Sequence, residues 1–144
     1  TEAEWEKAAR GVNGVKYPWG NTPERSCDYL VMNHSWNSSG TGCGMQQTWE
    51  VGLKPLGVSP YGAMDMLGNV WEWVEDWYLT GYYLETPTDG WRNPQGPLET
   101  GYRSIRGAAC STMSTAMVRT VNRTAIASTI RYFDIGFRCA KSAN

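Results

Sequence analysis

The sequence predicts an α+β fold of few helices, short strands and much irregular loop. Three observations predict it. The first ten residues carry a complete helix signature, and several later segments alternate apolar and polar residues at period two. Sixteen Gly in 144 residues, with eight Trp and eight Tyr beside two Phe, describe a backbone that turns often and aromatics whose polar tips need partners. A chain of this length forms one domain with room for a real core.

The helix comes first. Thr1 is placed as its N-cap with Glu4 three residues on, which is the capping-box pattern; Trp5, Ala8 and Ala9 share a face, and Gly11 supplies the stop. Because the chain begins on that cap, it is expected to be the C-terminal portion of a longer domain. From Gly11 to Pro60 the pattern is irregular. Tyr17-Pro18-Trp19-Gly20 and Asn21-Thr22-Pro23 read as turns, Asn33 to Gly44 as a polar loop, and Trp49 to Lys54 as a short strand. Val70 to Tyr78 alternates as a strand behind a Gly68-Asn69 turn. Thr80 to Thr100 is a Gly/Pro/Asn-rich excursion holding Tyr82, Tyr83 and Trp91. Strands follow at Tyr102 to Arg106, Met117 to Arg123 and Gly136 to Lys141.

Charge and composition exclude several functions. With 13 Lys+Arg against 14 Asp+Glu the net charge is −1, so nothing draws the chain to nucleic acid or to anionic lipid. No run of 18 apolar residues exists, so this segment does not insert into a membrane as a helix. Of the four cysteines, Cys27 and Cys43 flank the polar loop. They are read either as a disulfide, which would place the protein in an oxidising compartment, or as two separate thiols. No C-x-x-C pair is present and His34 is the only histidine, so the spacing gives no zinc signature. Gly68-Asn69 brings carbonyls and an amide to the volume that Glu72 faces, which suits a hard cation such as calcium; the competing reading pairs Glu72 with an arginine.

The stretch from Arg106 to Arg138 interleaves two sequences. One is a frame of bulky or charged residues, including Met113, Met117, Arg119, Arg123, Arg131, Tyr132, Phe133 and Arg138. The other is a set of ten fillers drawn from four residue types: Ser111, Thr112, Ser114, Thr115, Thr124, Ala125, Ala127, Ser128, Thr129 and Ile130. A solvated loop would carry some Lys, Glu, Asp or Gly, and a packed helix would repeat apolar residues at three and four. Neither pattern is present.

Five blocks in order resemble the sulfatase-modifying-factor family of the formylglycine-generating enzymes. They are Thr1-Glu2-Ala3-Glu4-Trp5 through Gly11, Tyr17-Pro18-Trp19-Gly20, Tyr61-Gly62 through Asp65-Met66-Leu67-Gly68-Asn69-Val70-Trp71-Glu72-Trp73, Arg106-Gly107, and Gly136-Phe137-Arg138-Cys139-Ala140. The resemblance implies a C-type-lectin-like fold with two small antiparallel sheets and two helices. Residues 1–144 would be the C-terminal portion of one such domain, its N-terminal part lying outside this chain as a partner segment of the same protein. It also implies a calcium site at Gly68, Asn69, Val70 and Glu72, one ion at most. Formylglycine generation uses two cysteines five apart to hold copper. Here Cys110 is followed five residues later by Thr115, so copper is not expected and Cys110 stays as a candidate only for a rival catalytic reading.

Variable proteins of diversity-generating retroelements are similar in fold and vary the segment ahead of Gly-Phe-Arg by changing adenines in Asn codons. From AAC such changes reach codons for Ser, Thr, Ala and Ile, the four filler types. The resemblance therefore implies a ligand-binding variable protein at the cell surface, contacting an unknown protein or other macromolecular ligand. Its contact set would be Ala108, Ala109, Ser111, Thr112, Ser114, Thr115, Thr124, Ala125, Ala127, Ser128, Thr129 and Ile130, with Trp91 on the rim. The frame arginines would hold the loops through carbonyls and carboxylates such as Asp65, Asp76 and Asp134. The rivals are an oxidase or related catalyst using Cys110 and a purely structural lectin-like module; the latter predicts fillers that merely fit a tight core.

Overall fold

The computed structural model describes residues 1–22, 26–34, 40–84 and 90–141. Helix α1 runs over Glu2–Arg10, and both halves of the capping box between Thr1 and Glu4 form. Gly11 ends it at φ 64, its N–H donating to the Lys7 carbonyl at 2.9 Å. A β-carbon there would also meet the Pro60 ring at 2.9 Å, so glycine serves both the left-handed backbone and the close approach.

Four strands follow: β1 Trp71–Trp77, β2 Tyr102–Arg106, β3 Arg123–Ala127 and β4 Ile135–Gly136. They form one sheet in the order β3-β2-β1-β4. The β1–β2 and β2–β3 pairs are antiparallel, with Glu72 opposite Arg106 and Ile105 opposite Thr124. β4 lies parallel to β1, Trp71 opposite Ile135. The resemblance implied two antiparallel sheets and two helices; the described residues hold one mixed sheet and one α-helix. The parallel pair arises because the chain leaving β3 crosses through residues 128–134 to the far edge instead of folding straight back.

Period-two alternation gives the sheet two unlike faces. Toward α1 point Glu72, Asp76, Ser104, Arg106 and Arg123, which bond to Glu2, Trp5 or Glu6. Away from α1 point Trp71, Ile105, Thr124, Ile126 and Ile135. Trp5, Ala9, Tyr17, Leu30, Met32, Met66, Leu67, Trp71, Ile105, Ala108, Ala109 and Val118 form a single buried cluster.

Three strand expectations are corrected. Trp49 to Lys54 is not a strand, because the backbone N–H and carbonyl of Trp49 are taken by the Asn69 side chain at 2.9 and 3.0 Å. Met117 to Asn122 is a chain of turns, with the Arg119 and Asn122 N–H groups bonded within the segment, Met117 N–H to Ser114 and Thr120 N–H to Lys16. The strand begins only at Arg123. The last strand is two residues long, and Phe137 beyond it is exposed. The polar loop and the long excursion each include residues outside the described set, 35–39 and 85–89. Cys27 and Cys43 are joined in a disulfide, with Cα atoms 5.9 Å apart.

Candidate functional site

The face of the sheet turned away from α1 holds a concavity of about 420 Å³. All four strands contribute its floor: Trp71, Ile105, Thr124, Ile126 and Ile135. Met117, Tyr132, Phe133 and Asp134 form its sides. Met117 is delivered by a turn closed by its N–H on the Ser114 carbonyl at 3.1 Å. Tyr132 and Phe133 are carried over the sheet by the crossover and stand 60% and 69% exposed, large apolar surfaces with no cover among the described residues. Asp134 anchors that crossover. Its carbonyl accepts from Trp71 N–H at 2.8 Å, and its carboxylate accepts from the Ser111 hydroxyl.

The fillers divide. Thr124 lines the concavity, while Ser114 belongs to one flanking turn and Ser128 and Thr129 to the other, all three exposed. Thr115 and Ile130 are half-buried in the same two turns. Ala125 and Ala127 sit on β3 opposite Ser104 and Tyr102, on the side of the sheet that faces α1. Ala108 and Ala109 are fully enclosed and Thr112 nearly so. Thr112 accepts from Ala109 N–H at 2.9 Å, and its carbonyl accepts from Asn33 N–H at 3.2 Å. These three hold the loop to the core and cannot meet a partner in this conformation, so they leave the contact set. Ser111 is tied to Asp134 and supports the rim.

Trp91 is also not a rim residue of this concavity. It packs tilted against Tyr82 and edge-on against Tyr83, with ring centroids 5.0 and 5.1 Å apart, on the α1 side, lining a separate cleft with Arg10, Val121 and Arg123. Sequence reasoning assigned Met117, Tyr132 and Phe133 to the folding frame and missed them as site residues. The signal was an adjacent Tyr-Phe pair, in a chain with two Phe, separated from the filler run by Arg131 alone.

The family model of the sulfatase-modifying factor enzyme 1-like domain matches residues 1–143. The chain belongs to this family. It is 36% identical over 150 residues to serine/threonine-protein kinase pkn1 of Chlamydia pneumoniae, covering all of this chain and 21% of that protein. It is 32% identical over 160 residues to the formylglycine-generating enzyme of Streptomyces coelicolor, again over the whole chain and 46% of that enzyme. Among solved structures, Treponema denticola variable protein 1 superposes with a TM-score of 0.73 at 30% identity, covering 95% of this chain and 44% of that one. The chain thus spans less than half the length of these relatives. The α+β, few-helix, C-type-lectin-like architecture is that of its neighbours.

The residues expected to hold calcium have protein partners in this chain. Gly68, Asn69, Val70 and Glu72 do line one small cavity. Glu72, however, is gripped by Arg138 at 2.6 and 2.7 Å and accepts from the Trp5 indole at 2.6 Å. Asn69 spends its amide on Trp49. A cation at this spot would face a guanidinium that already neutralises the one carboxylate, so these residues do not fit calcium. Cys110 is equally unsuited to thiolate chemistry. It is fully enclosed, and burial, seconded by the Asp134 charge, pushes its thiol above the ordinary range.

Four of the frame arginines hold loops through carbonyls, as expected, including the Asp65 carbonyl on Arg138 at 3.3 Å, while the carboxylates they bind are Glu2, Glu6 and Glu72. Arg106 binds Glu2, Glu6 and the Thr120 carbonyl; Arg123 binds Glu2 and the Leu79 carbonyl; Arg138 binds Glu72 and the Met64 carbonyl. Arg119 binds the Ala116 carbonyl. Asp76, Asp65 and Asp134 instead accept from the Glu2 N–H, the Gly52 N–H and the Ser111 hydroxyl.

Proposed function

We propose that this chain is the ligand-contacting part of a variable protein displayed at the cell surface, which binds a macromolecular partner through the concavity beneath Tyr132 and Phe133. The observation that carries this reading is the separation of jobs within residues 106–138. Arg106, Arg119, Arg123 and Arg138 are bonded within the fold, while Ser114, Thr124, Ser128 and Thr129 occupy the concavity or its flanking turns beside two exposed aromatics. Ser and Thr there can be exchanged without disturbing the buried ion pairs. Aromatics with few rotatable bonds supply contact area at little entropic cost. The likeness to the Treponema denticola variable protein supports the same reading.

A display library randomised at Ser114, Thr115, Thr124, Ser128 and Thr129 tests it. Most members are expected to fold, with melting temperatures within about 4 °C of the parent, since surface changes cost little. Selection against a folded target such as lysozyme should yield binders that lose binding when Tyr132→Ala and Phe133→Ala are introduced together. General unfolding of the library, or binders indifferent to the two aromatics, would refute the assignment.

A further inference from the structure

We propose that Cys27, His34 and Cys43 form a redox-gated site for a zinc-class divalent cation, closed while the two cysteines share a disulfide and opened when it is reduced. No pairwise spacing in the sequence announces the site; the fold assembles it. The two sulfurs and a ring nitrogen of His34 all lie within 4.8 Å of one another. In a tetrahedral zinc site two thiolate sulfurs at about 2.3 Å from the metal stand about 3.8 Å apart, which small side-chain rotations reach from cysteines whose Cα atoms are 5.9 Å apart.

Backbone hydrogen bonds other than the bridge also hold these segments. Cys43 N–H donates to the Met32 carbonyl at 2.9 Å, and His34 N–H to the Gly40 carbonyl at 3.1 Å. Cys27 sits in a turn closed by Tyr29 and Leu30 N–H groups on the Ser26 carbonyl at 3.0 and 3.3 Å. Leu30 and Met32, between them, are core residues. Cleaving the disulfide therefore leaves both thiols facing the imidazole. His34 is 2% exposed, so its ring faces the two sulfurs from within the fold; a neutral imidazole is the form that ligates metal.

The chemistry balances with a small thiol as reductant. Two equivalents supply two electrons, the Cys27–Cys43 bond breaks, each sulfur takes a proton, and the reductant leaves as its own disulfide. Zinc then displaces both protons to solvent as two sulfur–metal bonds form, and His34 supplies the third ligand. Two thiolates and an imidazole suit zinc among the common divalent ions, and a fourth position stays open. Gly42 and Asn33, the chain neighbours of Cys43 and His34, donate N–H groups to the enclosed loop, to the Cys110 carbonyl at 2.9 Å and the Thr112 carbonyl at 3.2 Å.

The test uses the full chain, oxidised or reduced with 2-mercaptoethanol. The reductant is removed anaerobically, zinc chloride is added, and metal is counted after gel filtration. About one zinc per chain is expected in the reduced protein and none in the oxidised one. Cobalt in place of zinc should give a thiolate-to-metal charge-transfer band that is lost in Cys27→Ser and weakened in His34→Ala but kept in Cys110→Ser. Cys27→Ser guards against misfolding of the histidine variant, because it mimics the opened bridge without burying a new group. Equal zinc in both redox states, no zinc in the reduced chain, a band that survives Cys27→Ser, or loss of the far-ultraviolet dichroism on reduction even with zinc present would each overturn the proposal.

Discussion

Arg106 joins the helix to the sheet. Its guanidinium, 1% exposed, bonds Glu2 at 2.9 Å, Glu6 at 2.6 Å and the Thr120 carbonyl at 2.8 Å, and lies 5.0 Å from the Trp5 ring. Removing one partner of so buried a cluster strands the others, so Arg106→Ala is expected to cost about 3–5 kcal/mol in urea unfolding. Arg106→Lys should recover little of it, because an ammonium cannot span three acceptors in the guanidinium's plane. Asp76 carries a pH signature. Burial holds its carboxyl above the ordinary 3.8, against the hydrogen bond from Glu2 N–H. The folded chain keeps that proton at a pH where the unfolded chain has released it. Stability from this group is therefore full below 3.8 and falls as pH rises through the folded pKa. Asp76→Asn should flatten that fall in unfolding curves taken across the acid range; an unchanged slope would contradict the assignment. Thiol titration separates the two free cysteines. Exposed Cys139 should react with Ellman's reagent in the native protein, and buried Cys110 only after unfolding.

At the scale of elements, the turn ahead of β1 is the most demanding. Gly68 has φ +84, and a β-carbon there would come within 2.6 Å of the Val31 carbonyl oxygen. Gly68→Ala is therefore expected to lose about 2 kcal/mol or more in urea unfolding, from positive-φ strain and overpacking together. Which elements were legible in the sequence follows from where their partners lie. Helix α1 was legible because its cap, its apolar face and its stop are local, and β1 and β2 because each alternates against a buried face. β3 was misplaced by all but Arg123, because Val118, Thr120 and Val121 look like strand residues, while the Arg119 and Asn122 N–H groups close turns and that of Thr120 reaches Lys16. The filler alphabet was legible, but its burial was not. Ala108, Ala109 and Thr112 are as small as their exposed counterparts, and nothing local distinguishes a residue small for packing from one small for contact. The pairing of Glu72 with a particular arginine was hidden for a related reason. Glu72 and Arg138 are 66 positions apart, and their pairing exists only once β4 lies beside β1.

The molecule places the buried ion pairs of Glu2 and its apolar opening on opposite sides of one sheet. The α1 side is locked by buried ion pairs through Glu2, Arg106 and Arg123, which favour a single arrangement of strands. The other side offers an apolar floor under two exposed aromatics, flanked by turns whose small residues bear little of the fold's stability. Such a division permits sequence change on one side while the other keeps the shape. The most direct measurement of this claim is the sequence of this gene in independent isolates, read together with the DNA beside it. The account predicts differences concentrated in the codons of Ser114, Thr115, Thr124, Ser128 and Thr129, each reachable by adenine changes from a nearby template repeat, with Arg106, Arg123 and Arg138 unchanged. Differences scattered equally over frame and filler codons, or absent from the fillers, would contradict it.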